Sequence, residues 1–299
     1  MLDFLWGGRT SGWDKLAGFI PVSKGDICRG LWGAAARVTL APMRKWWLLP
    51  ITVLALAGVA GWWFREPLGA WARAKTGAVA LGLRQTPRPD PQTYAVLTSE
   101  LERWRGELAT RYQRAKTAAE RATVERDARV ILEQTLPEMM RCWLGTPWDF
   151  NGTAAKPGGG RIACGYFVAT VIKDAGFRVD RYQLAQQPSE NILRSFLDKE
   201  ACSLSVGQPY AAFTADLAQA APGIYLIGLD THVAFLVVGG NGFRFIHASG
   251  SRPWCVVDEG RDEAQVLQRS NWRMSGNLTA DPKVLRRWLL GEKIEVRGS

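Results

Sequence analysis

The sequence predicts an α+β fold in which a helix packs on a small antiparallel sheet, preceded by a long helix and one N-terminal transmembrane helix. Three observations support this prediction. An uncharged apolar run lies near the N-terminus, a stretch with helical periodicity follows it, and the C-terminal half consists of short apolar runs separated by glycine clusters. This last pattern is typical of a domain that mixes helices and strands. With 299 residues, the chain can hold one core plus appendages, since a single core rarely exceeds roughly 250 residues.

Residues 46–64 are predicted to form the transmembrane helix. They carry no charged side chain, and tryptophan pairs lie at both ends, at Trp46, Trp47, Trp62 and Trp63. At about 1.5 Å per residue this run spans about 30 Å, the thickness of a bilayer core, and tryptophans at the interfaces are typical of membrane helices. A buried core helix and a cleaved signal peptide are the alternatives, but core helices are usually shorter and 45 residues precede the run. A lipid bilayer is therefore an expected partner.

The segments beside this helix have different characters. Residues 1–45 are basic with scattered apolar side chains, as expected for an amphipathic segment on a membrane surface or for a disordered tail. Residues 65–92 form a proline-containing linker. Positive charges nearly balance across the helix, and the additional basic residues of the tail favour a cytoplasmic N-terminus with the C-terminal part outside the cytoplasm.

Residues 93–136 are predicted to form one long helical arm. Tyr94 to Leu136 contains no proline, its apolar residues recur at helical spacing, and Glu107 and Arg111 form one of several charge pairs four residues apart. Two arrangements are open. The arm packs on its own domain, or it forms a coiled coil that makes the chain a homodimer.

Composition limits the chemistry of residues 137–299, the predicted globular domain. The formal net charge of +10 admits an anionic partner, but no zinc finger, purely basic helix or RNP-like strand supports a nucleic-acid partner. Five cysteines without a CxxC or Cys/His cluster predict neither a zinc site nor a disulfide framework, and no metal or organic cofactor is expected. Any imidazole must come from His232 or His247, the two histidines of the chain.

Cys164 is distinguished by its position. It follows a glycine-rich loop and precedes apolar residues at helical spacing, among them Val168 and Val171, so it is predicted to begin a helix. A thiol there faces unpaired backbone N–H groups and the positive end of the helix dipole, which would lower its pKa and favour the thiolate. The same N–H groups could stabilise an oxyanion. The alternative is that Cys164 is a small buried hydrophobic residue.

His232 and His247 lie on the two strands of a predicted β-hairpin. If Gly239-Gly240 forms a two-residue turn, the histidines are directly opposite one another. If Asn241-Gly242 forms it, they are four residues out of register, about 13 Å along the strand. The first turn, or a longer loop equivalent to it, is predicted, because the base that serves a cysteine nucleophile needs a third group to orient it.

The order Cys, His, His resembles the NlpC/P60 family of papain-like cysteine peptidases over residues 137–255. The resemblance includes a loop ahead of the cysteine and a strand at the end, Leu144-Gly145-Thr146-Pro147-Trp148 and Ile246-His247-Ala248-Ser249. It implies a nucleophilic Cys164 at a helix start packed on a small antiparallel sheet. His232 would be the general base, and His247 the residue that orients it.

Trp148 stands where the family usually has a tyrosine that points toward the oxyanion, and its indole N–H can donate there. With Gly165 and Tyr166, it forms the expected oxyanion and substrate pocket. The sequence departs from the family at the nucleophile, because Ala163-Cys164-Gly165-Tyr166 replaces the usual Asp-Cys-Ser-Gly. Gly223-Ile224 likewise replaces a common Gly-Asp.

The resemblance implies a thiol protease or amidase, a hydrolase that cleaves amide bonds in peptidoglycan (murein) peptides at the bacterial inner membrane. The altered neighbours of Cys164 leave the murein substrate open. Two alternatives remain: a thiol acyltransferase that acts on an amine or a lipid, and a catalytically inactive, membrane-tethered binding or assembly module.

Overall fold

The structure is a computed structural model that describes residues 87–240 and 242–298. The predicted tail (1–45), the predicted transmembrane helix (46–64) and most of the predicted linker (65–92) lie outside the described residues. Among the described residues, no helix combines the length and the apolar composition needed to cross a bilayer. The predicted α+β class is confirmed for this part of the chain, which contains a six-stranded antiparallel sheet and eight α-helices.

The α-helices of the described residues are, in chain order, α1 (Pro91–Arg114), α2 (Ala118–Arg141), α3 (Cys164–Asp174), α4 (Arg181–Ala185), α5 (Ser189–Phe196), α6 (Tyr210–Gln219), α7 (Gln265–Arg269) and α8 (Pro282–Leu290). The strands are β1 (Cys202–Val206), β2 (Gly223–Leu229), β3 (His232–Gly239), β4 (Gly242–Ala248), β5 (Val256–Glu259) and β6 (Trp272–Asn277). They lie in the order β1-β6-β2-β3-β4-β5, and all neighbouring pairs are antiparallel.

The sheet separates two hydrophobic clusters. On β2, Ile224 and Leu226 belong to the larger cluster, and Tyr225 and Ile227 belong to the smaller one. This alternation arises because successive side chains of a strand point to opposite faces. The larger cluster includes side chains of α1, α2, α3 and α8, and the smaller one includes side chains of α6 and α7. Since both faces are covered, β2 is buried along its whole length.

The single arm predicted over 93–136 is wrong, because α1 and α2 form a helical hairpin. A new helix begins at a capping box, in which Thr117 Oγ1 accepts from the Glu120 backbone N–H (3.1 Å) and Glu120 Oε2 accepts from the Thr117 backbone N–H (3.2 Å). Helical periodicity continues across this break, which is why the pattern predicts one helix. Leu101 and Leu108, two residues of the apolar stripe on which the alternative homodimer depends, are buried in the larger cluster of the same chain.

The domain boundary predicted at Pro137 is also wrong. α2 continues through Pro137, and the buried side chains before and after it, Leu132, Leu136, Met139 and Met140, belong to one cluster. The two helices of the hairpin therefore supply part of the core on which α3 packs. They belong to the same compact unit as residues 137–299.

The predicted hairpin of β3 and β4 is present with a different register. Gly239 pairs with Gly242, so neither Gly239-Gly240 nor Asn241-Gly242 is the two-residue turn. The predicted turn is therefore wrong. This register places His232 and His247 two residues away from a direct cross-strand pair. An even shift keeps both side chains on one face of the sheet, and diagonal neighbours are within reach of aromatic rings.

Candidate active site

Cys164 begins α3, as predicted, and is partly exposed. The preceding loop contains Gly158 and Gly160, whose positive φ angles of 67° and 134° favour glycine. The N-cap residue, Ala163, has an extended backbone and forms no side-chain cap. The N–H groups of the first turn are therefore available to a ligand at the helix start.

The pKa of the Cys164 thiol is raised, contrary to the prediction from its position. Burial is the main cause, and the backbone N–H groups near the sulfur, those of Val233, Gly165 and Cys164, oppose it. Burial disfavours the charged thiolate more than the helix start favours it. The thiol therefore needs a neighbouring base to become a nucleophile.

Gly165 allows a close approach between two helices. A Cβ atom at this position would lie 2.3 Å from the backbone oxygen of Ala185, at the end of α4. The absence of a side chain at position 165 therefore has a local physical reason. α4 lies against the start of α3, where a side chain at position 165 would collide with it.

The two imidazoles are neighbours, as the sequence predicts. Nε2 of His232 and Nδ1 of His247 lie 2.8 Å apart, and the rings meet edge to face at a centroid distance of 4.9 Å. His247 is fully buried, and burial lowers its pKa to about 3. Burial, and then the proximity of His247, lowers the pKa of His232 well below its usual value. Both rings are therefore neutral near pH 7, and each carries one N–H.

Glu259 extends this pair. Its Oε2 lies 3.2 Å from Nε2 of His247. Burial and the nearby carboxylate of Glu263 raise the pKa of Glu259 to about 7, and Arg244 opposes them. Glu259 thus contacts His247, and His247 contacts His232. His232 and Cys164 line the same cleft.

Trp148 lines the cleft and has an unpaired donor. Its backbone N–H donates to the oxygen of Trp254 (2.8 Å), and the two indole rings pack at a centroid distance of 5.5 Å. Its Nε1 is buried and has no hydrogen-bond acceptor among the described residues. A buried, unpaired N–H costs free energy unless a ligand accepts from it. The role of this N–H as an oxyanion donor stays a prediction.

Tyr166 also lines the larger cavity. Its hydroxyl accepts a hydrogen bond from Gln186 Nε2 (3.3 Å), and its ring packs edge to face on Tyr182. The guanidinium of Arg181 lies over both rings, at 5.0 and 5.2 Å from the centroids. Tyr166 therefore has a fixed position in the cleft.

The cleft extends on both sides of Cys164 and His232. A cavity of 740 Å³ and one of 260 Å³ share the lining residues Cys164, Gly165, Ala185, Thr231 and His232. Of the described residues that line the larger cavity, none is Asp, Glu, Lys or Arg. Phe150, on its rim, is 78% exposed. An extended substrate can therefore lie across the thiol with an uncharged part in the larger cavity.

Neither protein-family models nor curated proteins nor solved structures match the chain. The NlpC/P60 resemblance therefore stays an inference from the order and spacing of motifs.

Two residues of the site are not predicted from the sequence. Glu259 follows Val256-Val257-Asp258, an apolar start typical of a strand, but the resemblance ends at residue 255 and β5 lies beyond it. Arg181 is buried and donates to Thr170 Oγ1 (2.6 Å) and to the oxygen of Ala154 (2.7 Å). No local pattern marks either residue, because each acquires its role by contact with a distant segment.

Four cysteines fall within the described residues, and all four have free thiols: Cys142, Cys164, Cys202 and Cys255. Within the same part of the chain, no group of three or more His, Cys, Asp or Glu side chains is arranged to hold a metal ion.

Proposed function

We propose that this chain is a membrane-anchored cysteine hydrolase that cleaves an amide bond through Cys164. The observation that carries the proposal is the 2.8 Å contact between Nε2 of His232 and Nδ1 of His247, at a cleft that Cys164 also lines. A thiol whose pKa is raised by burial needs a base, and an imidazole oriented by a second side chain is the arrangement that supplies one.

The acylation step uses residues that line the cleft. Nδ1 of His232 takes the thiol proton, and the Cys164 sulfur attacks the carbonyl carbon of the amide. Backbone N–H groups at the start of α3 and the indole N–H of Trp148 stabilise the oxyanion. The protonated His232 then gives its proton to the amide nitrogen, the C–N bond breaks, and a thioester on Cys164 and a free amine result.

Deacylation reverses the roles of the same groups. His232 takes a proton from water, and the hydroxide attacks the thioester carbonyl. The C–S bond breaks, a carboxylic acid leaves, and Cys164 recovers its proton from His232. No metal or organic cofactor takes part.

The proposed substrate is a peptide of the bacterial cell wall. The support is the resemblance in motif order together with a cleft that extends on both sides of Cys164 and so accepts an extended chain. Trp148, Gly165 and Tyr166, the residues proposed to contact the substrate, line the larger cavity. A single-pass anchor in the inner membrane, with the catalytic domain outside the cytoplasm, would place this cleft next to the wall.

A second candidate is acyl transfer to an amine or a lipid by the same thioester. The observation that favours it is the uncharged lining of the larger cavity, which suits an apolar acyl group better than a charged peptide. Hydrolysis releases a free acid, whereas transfer places the acyl group on the acceptor. The products therefore distinguish the two reactions.

The test combines thiol labelling with product analysis on the full chain in detergent. Cell-wall peptides are incubated with wild type, Cys164→Ala and the matched control Cys202→Ala, and the products are analysed by mass. We expect free-acid products from wild type and the control, and none from Cys164→Ala. An inactive binding module would show no product and no selective alkylation of Cys164 near neutral pH, which would refute the proposal.

A further inference from the structure

Glu259 lies where its charge decides which nitrogen of each histidine carries the proton. A neutral imidazole has one N–H and one bare nitrogen, so a ring between two hydrogen-bonding partners must donate to one and accept from the other. His247 has Glu259 at Nε2 (3.2 Å) and His232 at Nδ1 (2.8 Å). The protonation state of Glu259 therefore determines which nitrogen of His232 carries a proton.

An ionised carboxylate can only accept a hydrogen bond. With Glu259 ionised, Nε2 of His247 carries the proton and its Nδ1 accepts. Nε2 of His232 must then donate, which leaves Nδ1 of His232 bare. That nitrogen is the one not engaged with His247, and His232 lines both cavities together with Cys164.

A protonated Glu259 has the opposite effect. Its hydroxyl can donate to Nε2 of His247, so that Nδ1 of His247 carries the proton and donates to Nε2 of His232. Nδ1 of His232 then carries the remaining proton and cannot accept one from the thiol.

We propose that Glu259 is a positioning residue of this site, whose ionised carboxylate selects the tautomers of His247 and His232 and so makes Nδ1 of His232 the base for Cys164. This inference rests on the proposed function for its catalytic meaning, but the tautomers themselves do not depend on any substrate. Glu259 touches neither Cys164 nor the cleft, and it acts through His247.

The surroundings of Glu259 place its ionisation near neutral pH. Glu259 faces His247 and Arg244 on β4 and Glu263 in the loop after β5. It also faces the hydroxyl of Tyr210 on α6. Burial and Glu263 raise its pKa to about 7, and Arg244 opposes them. Arg244 is itself held by Asp258 (2.7 Å), which limits its effect. The base would therefore become competent as the pH rises through this region.

The direct test is ¹⁵N NMR of the full chain in detergent, labelled on histidine and purified without a histidine tag. Since the chain has two histidines, the spectrum reports both rings. Well above the Glu259 pKa, we expect both rings to be neutral with the proton on Nε2. In Glu259→Leu this preference should be lost. A proton on Nδ1 of His247 in wild type at that pH, or unchanged tautomers in Glu259→Leu, would overturn the proposal.

Alkylation of Cys164 provides a second readout that needs no substrate. In wild type the rate should rise through an ionisation near pH 7, and this step should be absent in Glu259→Gln, whose amide oxygen still accepts from His247 but does not titrate. In Glu259→Leu, Cys164 should be alkylated at a rate at least about tenfold lower than in wild type. Glu263→Gln should move the step to lower pH, because it removes a carboxylate that raises the Glu259 pKa. An unchanged step in Glu259→Gln would assign it to another group and refute the role of Glu259.

These readouts separate the two proposals. If the tautomers and the alkylation profile depend on Glu259 but no amide bond is cleaved, the role of Glu259 stands and the proposed hydrolase fails. If hydrolysis is observed with tautomers that do not respond to Glu259, the hydrolase stands and the positioning role fails.

Discussion

Replacing Gly165 by alanine tests whether the close contact between α3 and α4 shapes the cleft. The added Cβ would lie 2.3 Å from the Ala185 oxygen, whereas real Cβ atoms essentially never come within 3.0 Å, so the two backbones must separate by roughly 0.7 Å. α4 cannot move freely, because Arg181 at its start donates to Thr170 Oγ1 (2.6 Å) and to the Ala154 oxygen (2.7 Å). Overpacking of this kind costs about 1–3 kcal/mol.

We therefore expect Gly165→Ala to lower the free energy of unfolding by about 1–3 kcal/mol, and Gly165→Ser, with its larger side chain, to lower it at least as much. The measurement is urea unfolding followed by tryptophan fluorescence. The control is Gly106→Ala in α1, where no atom lies within 4 Å of the added Cβ, and which should stabilise by about 0.5–1 kcal/mol. If Gly165→Ala is as stable as wild type while the control behaves as expected, the contact does not constrain position 165.

Three further predictions concern single side chains. Trp148→Phe removes the unpaired indole N–H, so kcat/KM should fall by about 10²–10³ while urea unfolding shows unchanged or slightly higher stability; full activity would exclude the oxyanion role. Thr117→Ala removes the capping box of α2 and should cost about 1 kcal/mol; no change in the urea midpoint would contradict it. The raised pKa of Glu259, about 7 against 4.5, means that the folded state holds this proton more tightly than the unfolded state. The contribution of Glu259 to the free energy of unfolding should therefore fall by about 2 kcal/mol as the pH rises from about 5 to about 7.5. The depressed histidine pKa values act in the opposite sense, but they cancel in the difference between wild type and Glu259→Gln. Urea unfolding at both pH values measures that difference, and equal pH dependence of the two proteins would contradict the prediction.

Local sequence patterns predict those features that depend on few neighbours. A glycine-rich loop followed by apolar residues at helical spacing places Cys164 at a helix start, and α3 begins there. The alternation of side chains along a strand places His232 and His247 on one face for any even register. Their rings are therefore neighbours although the predicted turn is wrong.

Contacts between distant segments decide the rest. The Thr117–Glu120 capping box can be recognised in the sequence, but only packing shows that the chain folds back there to bury both helices in one core. The pKa of Cys164 has the opposite direction from its prediction, because burial depends on every segment around the cleft and not on the helix start alone.

The sequence by itself determined the α+β class, the helix that begins at Cys164 and the shared face of the two histidines, because these features follow from local periodicity and side-chain parity. Only the tertiary structure decided the register of β3 and β4, the pairing that brings Glu259 to His247, and the burial that shifts the pKa values of Cys164, His232, His247 and Glu259. Those properties depend on strand pairing and on exclusion of water by segments far apart in the chain, which no local pattern specifies.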